Sequence, residues 1–333
     1  MNVSIIVPIY NVEKYVERCL NSVSAQTYLG EIECVLVDDC GKDDSVKKVL
    51  DYIENDHSGI HFRVVHHAKN RGLSAARNTG IRESTGDWLF FLDSDDWITP
   101  DCVRIMMDCI SQYPGTEMVL GNYQYVGATF DWKFASPGLY TKDFVQMARY
   151  NLIYPMAPNK LLSRAFLVSN DLFFAEGLLH EDILWTMQLS CYLHQMVSIP
   201  EKTYCYFVHK GSISTNESYE FHYEHLTDVK LRLIDFAFLK GFKDNEPLYK
   251  FCTDGLYNYI LEPIAKGNCV LAEHFYEKLH NAPFWTFKYI VKHRRNWFEV
   301  MLSLHRYLPY HIGFAFVQLL GRVFLKKFAI DKK

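Results

Sequence analysis

Three acidic runs carry the residues best placed to do chemistry: Asp38-Asp39, Asp93-Ser94-Asp95-Asp96 and Glu181-Asp182. The first two follow the apolar runs 32–37 and 88–92, which read as buried strands. Carboxylates placed directly after buried strands are costly unless a hydrogen-bond donor or a cation meets them. Asp93 and Asp95 are two residues apart, so continued strand geometry would put both on one face. There they could share one hard cation, Mg2+ or Mn2+, with substrate phosphates completing its shell. The competing reading of an isolated Asp-x-Asp is a solvated turn before the next helix. Glu181-Asp182 opens an apolar-periodic stretch, where acids complement a helix N-terminus or serve as a base.

The elements around these runs alternate. Residues 3–9 form a short apolar run fit for a buried strand. Asn11 can cap a helix whose stripe is Val12, Tyr15, Val16, Cys19, Leu20 and Val23. Strand 32–37 precedes a helix through Val46, Val49, Leu50 and Ile53, and strand 60–65 precedes a helix over 73–83. Strand 88–92 precedes a helix with Pro100 in its first turn and Val103, Met106, Met107 and Ile110 on one face. A fifth strand follows at 117–123. This alternation predicts an α/β fold with a mainly parallel sheet, whose ligands bind outside the carboxyl ends of the strands. Beyond it the spacing predicts a helix at 142–151, a turn at Ala157-Pro158-Asn159, a helix at 181–195 and an extended stretch at 203–208. The chain reads as helical from 218 onwards.

Composition narrows the function. The 333 residues are 49% hydrophobic and 22% charged, enough apolar chain for a sizeable core, and the net charge of −4 argues against a nucleic-acid partner. Nine irregularly spaced cysteines without a Cys-x-x-Cys pair read as reduced core thiols. There is no GxGxxG after the first strand, no GxxxxGK[ST], no GxSxG and no HExxH. No secretory signal or spanning segment is evident, which points to a cytoplasmic protein.

Four segments in order, SIIVPIYNVEKYVERCLNSVSAQT from Ser4, IECVLVDD from Ile32, NRGLSAARNTGI from Asn70 and GDWLFFLDSDD from Gly86, resemble family 2 glycosyltransferases, as does His180-Glu181-Asp182. The resemblance reaches to about residue 215. It implies a GT-A (Rossmann-like) fold, with a catalytic domain over 1–215 and a helical extension over 216–333. Within the catalytic domain, residues 1–120 would bind nucleotide and 121–215 the acceptor. It also implies an inverting, non-processive transfer from a nucleotide-sugar, often UDP-linked, with Mn2+ or Mg2+, to a glycan or lipid-linked glycan.

By motif, Pro8, Tyr10 and Asn11 would line the nucleotide pocket, and Asp39 would accept from the base. Arg77 would lie near the base and diphosphate. Asp93 would touch ribose or sugar beside Ser94, and Asp95, with Asp93, would hold the metal. Asp182 would be the base and Glu181 its helper or an acceptor ligand. His209 and Ser212, in a basic loop, would face phosphate and metal. Lys160 would neutralise phosphate or bind acceptor, or else be solvated. The segment Asp39-Cys40-Gly41-Lys42 departs from the family's Asp-Asp-Gly-Ser. A sugar nucleotidyltransferase and a silent nucleotide-sugar-binding subunit of an assembly complex are the competing readings.

The last 51 residues, 283–333, hold ten Lys or Arg and two Asp or Glu, with aromatics between them. That mixture suits the surface of an anionic membrane at the cell's inner face, a helical subdomain packed on the body, or a dimer contact.

Overall fold

The computed structural model describes residues 1–127, 136–141, 153, 155–209, 219–293 and 297–330, the last seven by backbone alone. The expected helix at 142–151 and the site candidate Ser212 lie outside the described residues. The chain divides into two compact units, Met1–Asn216 and Glu217–Lys333.

The first unit is built on one nine-stranded sheet. Its strands are β1 (Val3–Ile9), β2 (Ile32–Asp38), β3 (His61–His66), β4 (Trp88–Phe91), β5 (Trp97–Ile98), β6 (Met118–Val126), β7 (Gly138–Thr141), β8 (Lys160–Ser163) and β9 (Gln195–Phe207). The order is β3-β2-β1-β4-β8-β6-β9-β5, with β7 on β9. The pairs among β3, β2, β1 and β4 are parallel, as is β6 with β9. Strand β8 enters antiparallel to both β4 and β6, and β5 and β7 run antiparallel to β9. The sheet is therefore mixed, and its parallel part is the alternating region of the sequence.

Every residue of β1 is buried, Ser4 included, which explains why the rest of the strand is apolar. Helices α1 (Val16–Ser24), α2 (Ser45–Asn55), α3 (Leu73–Glu83) and α4 (Cys102–Gln112) follow the first strands, with α5 (Arg164–Ser169) and α6 (Glu181–Tyr192) later. Helix α3 lies so close to β1 that a Cβ on Gly80 would overlap Ile6 Cγ2. The inward stripes of α1 and α4 enter one apolar cluster with β1, β2 and β4.

Two local expectations need correction. Asn11 does not cap α1, which starts at Val16. Instead Asn11 adopts φ 53°, and its Oδ1 accepts from the Lys42 N–H at 2.8 Å. Next to it, the Val12 N–H donates to Ser45 Oγ at 2.8 Å and the Glu13 N–H to Asp43 Oδ2 at 2.9 Å. The loop after β1 is thus stitched to the loop after β2. Pro100 precedes α4 rather than lying in its first turn, Asp101 being the N-cap.

The second unit contains α7 (Tyr219–Leu239), α8 (Glu246–Thr253), α9 (Asn258–Ala265), α10 (Cys269–Asn281), α11 (Phe287–His293), α12 (Trp297–Ser303), a 3-10 turn (Leu304–Tyr307) and α13 (Tyr310–Ile330). Trp285 is buried against Tyr249, ring centroids 4.9 Å apart, and its Nε1 donates to the Lys243 carbonyl at 2.6 Å. Among the described residues no helix is long and apolar enough to cross a membrane. All nine cysteines are thiols outside any disulfide.

Candidate active site

Asp38-Asp39 and Asp93–Asp96 stand at the carboxyl ends of β2 and β4, and Glu181-Asp182 opens α6, but each run is organised by a partner far away in sequence. Strand β4 ends at Phe91, and the chain then turns, with the Asp96 N–H donating to the Asp93 carbonyl at 3.0 Å. Strand geometry does not continue, so the expected shared face for Asp93 and Asp95 is lost, and their carboxylates find different partners.

Asp93 Oδ1 accepts from Arg77 at 2.8 Å, and the same guanidinium donates to Glu181 Oε1 at 2.8 Å. Arg77 is 3% exposed. It joins α3, the turn after β4 and the start of α6. Both of its terminal nitrogens are committed to carboxylates, which the expectation of a place near base and diphosphate did not include. Asp182, half-buried, is next to Glu181 in the first turn of α6 and accepts from the Ile183 N–H at 2.8 Å.

Three carboxylates thus crowd one buried guanidinium. Burial pushes the Glu181 carboxyl up, against the pull of Arg77. Burial also raises Asp182, opposed by Arg77, by the Ile183 N–H and by Lys160. A carboxylate made more basic in this way is suited to take a proton near neutrality.

Lys160 is not a solvated side chain. It is fully buried at the start of β8, and its Nζ donates to the Met156 carbonyl. Burial depresses its pKa to about 7, with Asp182 working to hold the charge. The preceding Asn159 takes φ 58° and bridges two strands, accepting from Thr203 Oγ1 at 2.8 Å and donating to the Asn122 carbonyl at 2.9 Å.

Asp95 Oδ2 lies 3.0 Å from His209 Nε2. The His209 ring packs on Phe207, centroids 5.3 Å apart, and on Tyr15 at 4.6 Å. Burial raises the Asp95 carboxyl, followed by the charge of Asp93, with His209 opposing. Asp96 is structural: at 2% exposure it accepts from Tyr204 Oη and from the Phe207 N–H, both at 2.7 Å. Tyr204 Oη also receives the Asp93 N–H at 3.1 Å. Ser94 is buried in the same turn.

Arg18 on α1 was not visible as a site residue. Its guanidinium sits 3.9 Å from the Trp97 ring centroid and 4.5 Å from that of Phe207, and it donates to the Asp95 carbonyl at 2.7 Å. The only sequence signal was a cation one helical turn beyond Tyr15.

At the end of β2, Asp39 is 2% exposed and accepts three bonds. Oδ1 receives His67 Nδ1 at 2.6 Å and the Arg71 N–H at 2.8 Å, and Oδ2 receives the Gly72 N–H at 2.8 Å. Its first task is to fix the loop before α3, and Oδ2 alone retains lone-pair capacity for a ligand. Pro8 is buried within β1, paired with Val37, rather than in the loop after the strand. Tyr10 and Asn11, just beyond it, are exposed. Cys40 takes φ 57°, donates its backbone N–H to Asp38 Oδ1 at 3.0 Å, and points Sγ at the His67 carbonyl, 2.9 Å away.

Among the described residues no group of three or more His, Cys, Asp or Glu is arranged to hold a metal. Asp95 and His209 lie side by side, in the turn after β4 and just past the end of β9. A carboxylate and an imidazole side by side are a donor set that fits Mn2+ or Mg2+ when waters and phosphate oxygens complete the shell.

Comparison with known proteins agrees with this architecture. The model of glycosyl transferase family 2 matches residues 4–168. Glycosyltransferase GlyA of Streptococcus pneumoniae is 31% identical over 64% of this chain and 31% of its own length. The poly(ribitol-phosphate) beta-N-acetylglucosaminyltransferase TarS of Staphylococcus aureus is 26% identical over 73% of this chain and 42% of its own length. The chain thus spans about a third to two-fifths of these relatives. The structure of S. aureus TarS 1–349 in complex with UDP-GlcNAc superposes with a TM-score of 0.71, at 22% identity, covering 98% of this chain and 92% of that one. A more distant mannosyltransferase from Pyrobaculum calidifontis, in complex with GDP-Man and Mn2+, superposes with a TM-score of 0.56 at 17% identity. The chain belongs to glycosyl transferase family 2, its membership carried by residues 4–168 inside the first of its two units.

Proposed function

We propose that the first unit is an inverting glycosyltransferase that moves one sugar from a UDP-sugar to a hydroxyl of a glycan or lipid-linked glycan. The observation that carries this reading is the Asp93–Arg77–Glu181 bridge, which sets Asp182 beside the turn of acids at the end of β4. Asp182 takes the acceptor's proton as the acceptor oxygen bonds to the anomeric carbon. In the same displacement the bond from that carbon to the diphosphate oxygen breaks, and its electron pair leaves with the nucleoside diphosphate. One base and no enzyme nucleophile are needed, so configuration inverts.

Asp95 and His209 would hold Mn2+ or Mg2+. When bound, that ion supplies positive charge for the leaving diphosphate. Asp39 offers its free Oδ2 lone pair to the imide N–H of uracil. Tyr10 and Asn11 are exposed at the same sheet edge, in place to line the base. Arg77 acts at one remove: it holds Asp93 and Glu181 in place and opposes the rise of the Glu181 carboxyl. Raised basicity at Asp182 supports its role as base, since an ordinary Asp would hold the proton less well at the moment of transfer.

The test is UDP release from UDP-sugars in the presence of acceptor glycans, with Mn2+. Asp182→Asn should lower transfer by roughly 100-fold or more while UDP still raises the melting temperature. Turnover undiminished in Asp182→Asn would remove the base assignment. UDP binding with no turnover on any acceptor would instead favour a silent binding subunit.

A further inference from the structure

Helix α13 has one face locked inward and another left bare. The inward face is Gly313, Val317 and Gly321, spaced four apart and all buried. A Cβ on Gly313 would run into Tyr276 Oη and stand 2.8 Å from the His305 carbonyl oxygen, and one on Gly321 would stand 2.7 Å from Leu261 Cδ2. These close approaches fix the helix's rotation, because a side chain at position 313 or 321 would meet its neighbours at overlap distance. The opposite side then has no choice of orientation. It carries Ile312 at 58% exposure, half-buried Phe316, Leu319 at 62% and Val323 at 58%. At spacings of four, three and four these form one apolar stripe along three turns. A second exposed apolar row, Trp297, Met301 and Leu304, lies one turn apart along α12 and the 3-10 turn.

We propose that this bare stripe of α13 docks on an anionic lipid surface. Single exposed apolar residues are ordinary, but a continuous helical stripe of them is a contact surface. The charge around it selects the partner. Residues 283–333 hold ten Lys or Arg against two acids, and Lys288, Lys292, Arg322 and His311 are all exposed. Arg322 borders the stripe itself. An apolar row bordered by Arg322, in a segment rich in cations, matches lipid headgroups of negative charge over an acyl boundary. A second copy of this chain would bring the same excess of positive charge against itself, which disfavours a dimer on this face. No described helix is fit to cross the bilayer, so the contact is one of lying on the surface. The inference is independent of the transferase reading, since it concerns binding without donor or acceptor.

The experiment is co-sedimentation of the full chain with vesicles of phosphatidylcholine alone and of phosphatidylcholine mixed with phosphatidylglycerol. Binding is expected to the mixed vesicles only. Ile312→Asp with Leu319→Asp should weaken it by more than roughly tenfold, since two apolar contacts become charged ones. Arg322→Glu should weaken it by at least about fivefold, and added salt should release the protein. All three positions are exposed, so the variants should melt with the wild type, which circular dichroism checks. Absence of binding to anionic vesicles, binding that the variants leave unchanged, or a wild-type dimer that becomes monomeric in Ile312→Asp would each overturn the proposal.

Discussion

Replacing Arg77 by Ala removes the one cation that is hydrogen-bonded to both Asp93 and Glu181. The guanidinium is 3% exposed and Glu181 7%, so water cannot stand in for it. Leaving a buried carboxylate without its partner costs about 3–5 kcal/mol. In a unit of this size each kcal/mol moves the melting temperature by roughly 2–4 °C, so a fall on the order of 6–20 °C is expected. The loss should depend on pH, and its sign follows from the raised carboxyls. A buried acid whose folded pKa lies above its unfolded one binds its proton more tightly when folded. Stability is then greatest below the unfolded pKa and falls as pH rises through the folded value. Burial already raises Glu181 and Asp182, and Arg77 is the chief restraint on that rise. Without Arg77 the penalty should be small near pH 4 and reach its full size above neutrality. Adding Glu181→Gln should recover part of it, because an amide needs no counter-charge. Thermal melts of wild type, Arg77→Ala, Glu181→Gln and the double variant across pH 4–8 measure all of this. A loss under about 1 kcal/mol, or one equal at both ends of the pH range, would refute the account of Arg77 as counter-charge.

Other expectations are narrower. The acidic limb of the transfer rate should report protonation of Asp182, with activity falling as pH drops through a pKa above the ordinary aspartate value, read from kcat/KM against pH. Arg18→Lys keeps the charge but gives up the flat stack between Trp97 and Phe207. It should weaken Mn2+-dependent donor binding by several-fold while the melting temperature falls by no more than a few degrees, about 1–2 kcal/mol. Cys40→Gly relieves a left-handed residue and should stabilise by up to about 1 kcal/mol, less whatever the Sγ contact with the His67 carbonyl contributes, as read by chemical denaturation.

Strands β1 to β4 and helices α2 and α3 were legible because each is a run of one period bounded by polar residues. Strand β8 was not. It is four residues long and follows Asn159 in a left-handed turn, and nothing in Lys-Leu-Leu-Ser says that it inserts at the centre of the sheet. Strand β5, two residues long, was invisible for the same reason. The acids of the site could be read directly, since burial after a strand makes them conspicuous. Their partners could not. Glu181 meets Arg77 across 104 positions, and His209 meets Asp95 across 114. Asp39 is satisfied largely by backbone N–H groups, which leave no mark on side-chain patterning. The buried state of Lys160 was likewise hidden, because a lysine at a strand start usually reaches water.

The late insertion of β8 has a consequence for how the chain is made. During synthesis β1 to β4 emerge first and can pair at once, but the outer edge of β4 waits for residues 160–163. Until then it offers a row of unsatisfied amides flanked by Trp88, Leu89, Phe90 and Phe91, a template for any passing strand. A ribosome stalled, or a gene truncated, between residues 92 and 160 should therefore yield a sticky product rather than a small soluble sheet.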